Sequence, residues 1–317
     1  PSKVTIGELL DTWLLGARDL KATTRHGYQV HLKPVRARLG NVSVQALAKA
    51  DVESLVEHML TTGGRNGKGR AASTVRQALI VLEQAIDDAV RQGILARNVV
   101  RLVAKPRLIR HEMRIWTAPQ LAAFLETAKA DRLSALWRIT ALGGLRRGEA
   151  TGLRWVDVDW EASQIRIVQT RVPVGNEIVT DEPKTAAGRR TVDIDPQTLA
   201  ALRVLRRQQV EERLAAGPGY LETGLIAVDA LGAPIDPAAF ANRFARLTRE
   251  AGLPLIRLHD LRHTAASLMH ESGEVSLRTI ASILGHADPA FTLRTYGHAS
   301  DEAKKAATAT LATLVRM

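Results

Sequence analysis

With 317 residues, the sequence exceeds the usual single-domain size and sets an expectation of two domains of about 100 to 200 residues each. A hydrophobic fraction of 45% with 24% charged residues excludes a largely disordered or fibrous chain, and the absence of cysteine excludes disulfides, thiolate metal sites, iron–sulfur clusters and cysteine nucleophiles together. The net charge of +11 points to a polyanionic partner and is unevenly placed: residues 1–110 hold 18 Lys and Arg against 9 Asp and Glu, +9, whereas the rest holds 26 against 24, +2. A solvated basic surface is the plainer account of that charge.

No stretch of about 18 uninterrupted apolar residues occurs, and the opening PSKVTIGELLDTW has no apolar signal region, so a soluble protein of the cytoplasm without a membrane partner is expected. The start on Pro1 reads as processed or trimmed. Thr5 and Glu8 make a capping-box start for a first helix through Leu15. A second helix is predicted over 24–39, stopped by Gly40, and a third over 51–60. The segment GGRNGKGR (63–70) reads as a flexible basic loop whose Arg65, Lys68 and Arg70 are candidate phosphate contacts, with a plain solvated linker as the other reading. Ser73 is expected to cap a fourth helix, in which Val75, Leu79, Leu82, Ile86 and Ala89 repeat at helical spacing before Gly93.

The basic, aperiodic stretch RLVAKPRLIRHEMR (101–114) reads as the interdomain connection, with domain limits drawn at 1–108 and 115–317 and a linker at 109–114. Thr117 with Gln120 opens the second domain, and helices follow to Leu142. Clustered β-branched residues over 164–194 predict a small antiparallel sheet, with Lys184 at a hairpin tip. Asp195-Pro196, Asp236-Pro237 and Asp288-Pro289 each place an N-cap before a proline at the first helical position. The fold class is thus mainly α with a small antiparallel β-sheet.

Three stretches concentrate unusual polar residues: GGLRRGEATGLRW (143–155), HDLRHTAASL (259–268) and LGHADPAFTLRTYGH (284–298). Together with Lys184 they supply Arg146, Arg262, His259, His286 and Tyr296, a set suited to an anionic phosphoryl centre. Guanidinium forks bind non-bridging oxygens, His and Lys exchange protons near neutral pH, and tyrosine can serve as a covalent nucleophile. Each residue alone has a plainer role: Arg146 can pair with Glu149, and Tyr296 can be an amphipathic helix position. His263, His270 and His298 read as structural or as supports for the catalytic side chains. His259 and His263 stand at a metal-capable spacing, but no Glu-containing zinc motif accompanies them, so neither metal nor cofactor is expected.

In this ordered set the sequence resembles the tyrosine recombinase family, most closely its phage-type integrases. The resemblance places the family's first arginine on Arg146 with the acidic position on Glu149, its lysine on Lys184, its His-x-x-Arg motif on His259 and Arg262, its later histidine on His286 and its nucleophile on Tyr296. It implies a helical core-binding domain and a catalytic domain forming a C-shaped DNA clamp. It implies site-specific recombination of double-stranded DNA attachment sites through a 3′-phosphotyrosyl intermediate and a Holliday junction. A homotetramer on DNA, accessory bending or directionality proteins, and a last helix over 301–315 that docks on a neighbouring subunit are further implications. Chromosome-dimer resolution and transposon recombination share this chemistry; a non-catalytic DNA-binding regulator and a metal-dependent nuclease are the readings from other classes.

Overall fold

The computed structural model describes residues 4–108, 113–183, 185–286 and 288, without the side chains of Arg65 and Ala186. The chain divides into two compact units, Pro1–His111 and Glu112–Met317.

The first unit is built on α1 (Ile6–Gly16), α2 (Ala22–Leu39), α3 (Lys49–Thr61) and α4 (Ala72–Arg91). The capping box is present: the Glu8 N–H donates to Thr5 Oγ1 at 3.3 Å, and the Thr5 N–H donates to the Glu8 carboxylate at 2.8 Å. Arg25 closes the other end of α1 by donating to the carbonyls of Leu14 and Ala17, each at 2.7 Å. Ile6, Leu10, Leu32, Leu55, Leu79 and Leu82 share one buried core, the apolar stripes of four amphipathic helices meeting along their seams.

Three expectations are corrected here. Helix α4 starts from Ala71, so Ser73 lies inside the first turn and caps nothing. The cause is upstream: the Arg70 N–H is bound by the Met59 carbonyl at 2.7 Å, which brings the chain into helical register before Ser73 is reached. The 63–70 segment is a closed turn, with the Gly64 N–H donating to the Lys68 carbonyl at 2.6 Å and Arg70 Nε to the Gly63 carbonyl at 2.6 Å. A Cβ at Gly69 would lie 1.7 Å from the Leu60 carbonyl oxygen, so only glycine fits. The first part of the expected 101–114 connection belongs to this unit, because Val100 and Val103 are buried in its core, Arg101 pairs with Asp87 at 2.8 Å and Lys105 pairs with Glu83.

The second unit runs α5 (Ala118–Thr127), α6 (Ser134–Leu142), α7 (Arg147–Gly152), β1 (Val158–Asp159), β2 (Gln164–Ile167), β3 (Thr170–Val174), β4 (Glu177–Asp181), β5 (Arg190–Asp193), α8 (Pro196–Ala216), α9 (Pro237–Glu250), α10 (Leu258–Glu271) and α11 (Leu277–Leu284). Asp195 and Asp236 cap α8 and α9 ahead of their prolines. The third such signal, Asp288-Pro289, runs outside the described residues.

The strands form two sheets in place of the one expected: antiparallel β1-β2-β5, and a separate β3-β4 hairpin turning at Gly175 and Asn176. Gly175 has φ +63, a conformation glycine adopts without penalty at the first position of a two-residue hairpin loop. The expected hairpin between β4 and β5 is not formed, since these strands pair with β3 and β2 respectively. Lys184, expected at its tip, lies outside the described residues.

An aromatic cluster fixes the core of this unit. Trp137 stacks on Phe240 at 4.1 Å, and Trp116, Phe124 and Phe244 complete it. Trp116 Nε1 donates to the Pro254 carbonyl at 2.9 Å and the Trp116 N–H to Thr264 Oγ1 at 3.1 Å, so this core holds the loop before α10 and α10 itself.

Candidate active site

After α6 the chain turns through Gly143 and Gly144. Gly144 has φ +58, and a Cβ there would lie 2.4 Å from the Leu284 side chain, so both backbone and space demand glycine. Arg146 then takes the N-cap position of α7. Its N–H donates to Glu149 Oε2 at 2.9 Å and its Nη1 to Oε1 at 2.7 Å. The ion pair anticipated as the plainer role of Arg146 is present, and 41% of its side chain still faces solvent.

Helix α10 begins with a second tight cap. The Asp260 carboxylate accepts the Arg257 N–H at 2.9 Å and two guanidinium bonds at 2.9 and 2.7 Å. That first turn leaves His259 open to solvent on one side only and turns Arg262 inward, where it is 2% exposed. Arg262 Nη1 donates to the Gly144 carbonyl at 2.7 Å and Nη2 to the Leu284 carbonyl. One guanidinium thereby ties together the segments that lead, two residues later in each case, to Arg146 and to His286. His286 follows the left-handed Gly285 that ends α11, and its N–H donates to the Ala281 carbonyl at 3.0 Å.

The electrostatics follow from this crowding. Burial first, and then Arg262 and Arg146, push the His286 imidazole down to about 4. Partial burial of its ring and then Arg262 lower His259 as well. His263 meets His259 edge to face at 5.0 Å, and burial followed by His259 pushes it down to about 4. At neutral pH these rings are uncharged, able to accept or relay a proton beside two fixed guanidinium charges. Among the described residues no group of three or more His, Asp or Glu is placed to hold a metal ion.

A pH dependence follows with a definite sign. An unfolded histidine titrates near 6.5, so between about pH 6.5 and 4 the unfolded chain binds protons that the folded His263 and His286 refuse. Folding stability should therefore fall as pH falls through that window. Urea unfolding of the whole protein at several pH values should show the slope, and His263→Gln should flatten it; an unchanged slope would place the acid sensitivity elsewhere.

Four of the six candidate catalytic residues, Arg146, His259, Arg262 and His286, come together with Glu149 in one centre. Lys184 and Tyr296, like the expected last helix, lie outside the described residues. Lys68 and Arg70 belong to the turn of the other unit, as does the backbone of Arg65. The sequence reading missed Arg190. Its guanidinium meets the buried Glu149 carboxylate at 3.0 and 3.2 Å and its Nε donates to the Ile283 carbonyl at 2.6 Å. The available signal was strand alternation: Arg190 shares a face of β5 with the buried Val192, and an inward guanidinium requires a buried carboxylate.

Known proteins are similar to this chain along most of its length. The chain is 28% identical to a XerC-like tyrosine recombinase of Caldanaerobacter subterraneus subsp. tengcongensis over 97% of its own length and 83% of that protein's. In fold it is similar to the Tn1549 transposon integrase solved with circular intermediate DNA, with a TM-score of 0.80 at 20% identity over 97% of this chain and 99% of that one. It is likewise similar to a lambda integrase tetramer solved on a Holliday junction, with a TM-score of 0.68 at 16% identity over 95% and 80%. Residues 113–303, which include every candidate catalytic position, match the phage integrase family; the chain belongs to that family of tyrosine recombinases.

Proposed function

We propose that this recombinase cuts and rejoins duplex DNA at specific attachment sites by two transesterifications, integrating or excising a mobile element. The observation that carries the reading is the Arg262 anchor, which gathers the Arg146 and His286 segments around one point. Two guanidinium groups there would offset the charge of a pentacoordinate phosphorane in low-dielectric surroundings. The Tyr296 oxygen forms the new bond to phosphorus while the bond to the 5′-oxygen breaks. His259 accepts the phenol proton, His286 donates a hydrogen bond to the non-bridging oxygens, and Lys184 protonates the departing 5′-oxygen. The free 5′-hydroxyl then attacks the partner's phosphotyrosine, and no nucleotide cofactor is consumed because that link conserves the phosphodiester energy.

The basic helical unit serves duplex binding, with Arg65, Lys68 and Arg70 as phosphate contacts. Four copies act on two sites, since exchange uses four tyrosines in pairs. The setting is the cytoplasm of a bacterium or of its phage-infected counterpart, at the nucleoid, with DNA-bending or directionality proteins as accessories. Chromosome-dimer resolution and transposon movement are the alternatives within the same chemistry. No described helix is long and apolar enough to cross a membrane.

A nicked suicide duplex carrying the attachment site tests the chemistry. The protein should become covalently attached to the 3′ side of the break in the presence of chelator. An absolute requirement for a divalent ion, or cleavage without a covalent adduct, would overturn the reading in favour of a nuclease.

A further inference from the structure

We propose that Arg190 is a positioning residue for recombination: by spanning Glu149 and the end of α11 it holds Arg146 and His286 in one working arrangement. This rests on the recombinase reading. The Arg190 side chain is 6% exposed, and its contacts reach three separate segments. Its two terminal nitrogens meet the two Glu149 oxygens, Nη2 to Oε2 at 3.0 Å and Nη1 to Oε1 at 3.2 Å, while Nε donates to the Ile283 carbonyl, three residues before His286. Nη1 also reaches the Gly188 carbonyl at 3.4 Å. Glu149 in turn accepts from both the backbone and the side chain of Arg146. The end of α11 is pressed against the same strut: a Cβ on Gly285 would lie 2.6 Å from the Ala187 carbonyl oxygen and 3.1 Å from Arg190 Cδ and Nη1.

The chemistry of the side chain matters here. A guanidinium is a planar fork that can meet a carboxylate with two nitrogens and a carbonyl with a third; an ammonium is a point charge that holds one of them well. Glu149 is 3% exposed. Burial pushes its carboxyl up, and Arg190 first, then Arg146, more than offset this and leave it below the usual carboxylate value. Among the described residues, the charged groups facing Glu149 are Arg146 and Arg190, with Arg262, His259, His263 and His286 around the same centre. On the elements packed against α7, Arg171 of β3 donates to the Ile235 carbonyl, Arg138 of α6 pairs with Asp195, and Arg243 and Arg246 of α9 pair with Asp131. Removing Arg190 leaves Glu149 with Arg146 as its remaining cationic partner among the described residues, so its carboxyl rises, and on protonation it releases its hold on Arg146.

The experiment compares wild type, Arg190→Met, Arg190→Lys and the double variant Arg190→Met with Glu149→Gln in suicide-duplex cleavage across pH, with duplex affinity and melting measured alongside. Arg190→Met should bind the duplex as wild type does and form the covalent adduct about tenfold to a hundredfold more slowly, the size expected when a catalytic group is misplaced. Its rate should fall further as pH drops below neutrality, at higher pH than the acid limb that His259 gives wild type, and the double variant should return to the wild-type profile. Arg190→Lys, which keeps the buried charge, should fold even where Arg190→Met does not, and should be slowed to an intermediate degree. Wild-type cleavage rates and pH profile in both single variants, a loss that follows affinity, or the acid limb of Arg190→Met in the double variant would overturn the proposal. Should wild type itself form no adduct, the recombinase reading falls, and urea unfolding still decides the Arg190–Glu149 link. With the folded carboxyl raised above its unfolded value, Arg190→Met should regain stability relative to wild type as pH is lowered from neutrality toward the carboxylate range, and a constant difference would overturn the link.

Discussion

Tyr296→Phe should abolish the covalent protein–DNA adduct while leaving duplex affinity within about twofold of wild type. The phenol of tyrosine ionises near 10, so at neutral pH its oxygen is a weak nucleophile that depends on a neighbouring base and on charge stabilisation at phosphorus. In the proposed chemistry its oxygen is the atom that becomes bonded to the phosphate, so removing it should leave nothing to form the intermediate. Affinity is expected to rest on other groups, chiefly the basic helical unit, residues 1–110 of which carry a net +9. Denaturing gels on the nicked duplex and fluorescence anisotropy on an intact one separate the two effects. An adduct that survives denaturant in the phenylalanine variant would assign the nucleophile elsewhere, and equal loss of affinity would make the phenol an anchor.

Most of this centre could be read from the sequence because its parts are local. Thr5 with Glu8, Thr117 with Gln120, Asp195-Pro196 and Asp236-Pro237 each satisfy orphan N–H groups within a few residues, so spacing alone locates the helix starts. Ser73 had the right chemistry for a cap and was overruled by a hydrogen bond from Arg70 to Met59, a contact that spacing does not encode. The strands over 164–194 were placed correctly, but their pairing was not. Joining β4 to β5 in a hairpin is the shortest-loop solution, whereas β5 instead pairs with β2 from 23 or more residues upstream. Arg146, Glu149, His259, Arg262 and His286 are legible through their residue types and through the order in which they match the tyrosine recombinase pattern. What the order leaves out is the means of bringing them together, namely Arg262 bonding to carbonyls 118 and 22 residues away and Arg190 bonding to Glu149 across 41 residues. Long-range polar contacts of buried arginines depend on tertiary packing, and their only local trace is a charge at a position whose period faces the core.

Arg262→Lys should slow adduct formation by about a hundredfold to a thousandfold, the loss typical of removing one donor that stabilises a developing oxyanion. It should also lower stability by about 1.5 to 3 kcal/mol, the range for a hydrogen bond made by a charged group. The two losses share a cause. The buried guanidinium uses Nη1 and Nη2 on the Gly144 and Leu284 carbonyls, and so is fixed in place before any phosphate arrives. Lysine keeps the charge but has a single nitrogen, which cannot meet both carbonyls at guanidinium spacing, so one carbonyl loses its partner and the charge moves off its mark. Arg146 provides the contrast. Its side chain is 41% exposed and its ion pair is with Glu149, three residues along the same turn, so Arg146→Lys should slow cleavage while leaving the melting temperature close to wild type. Melting curves and single-turnover cleavage on the nicked duplex, measured side by side for the two variants, test the distinction. Cleavage by Arg262→Lys within about tenfold of wild type would confine that arginine to a structural role, because a displacement affecting one donor at the phosphorane is worth more than tenfold. A melting temperature as depressed in Arg146→Lys as in Arg262→Lys would show instead that the stability loss comes from altering any charge in this centre, and that the two carbonyl bonds are not what holds the Gly144 and Leu284 segments together.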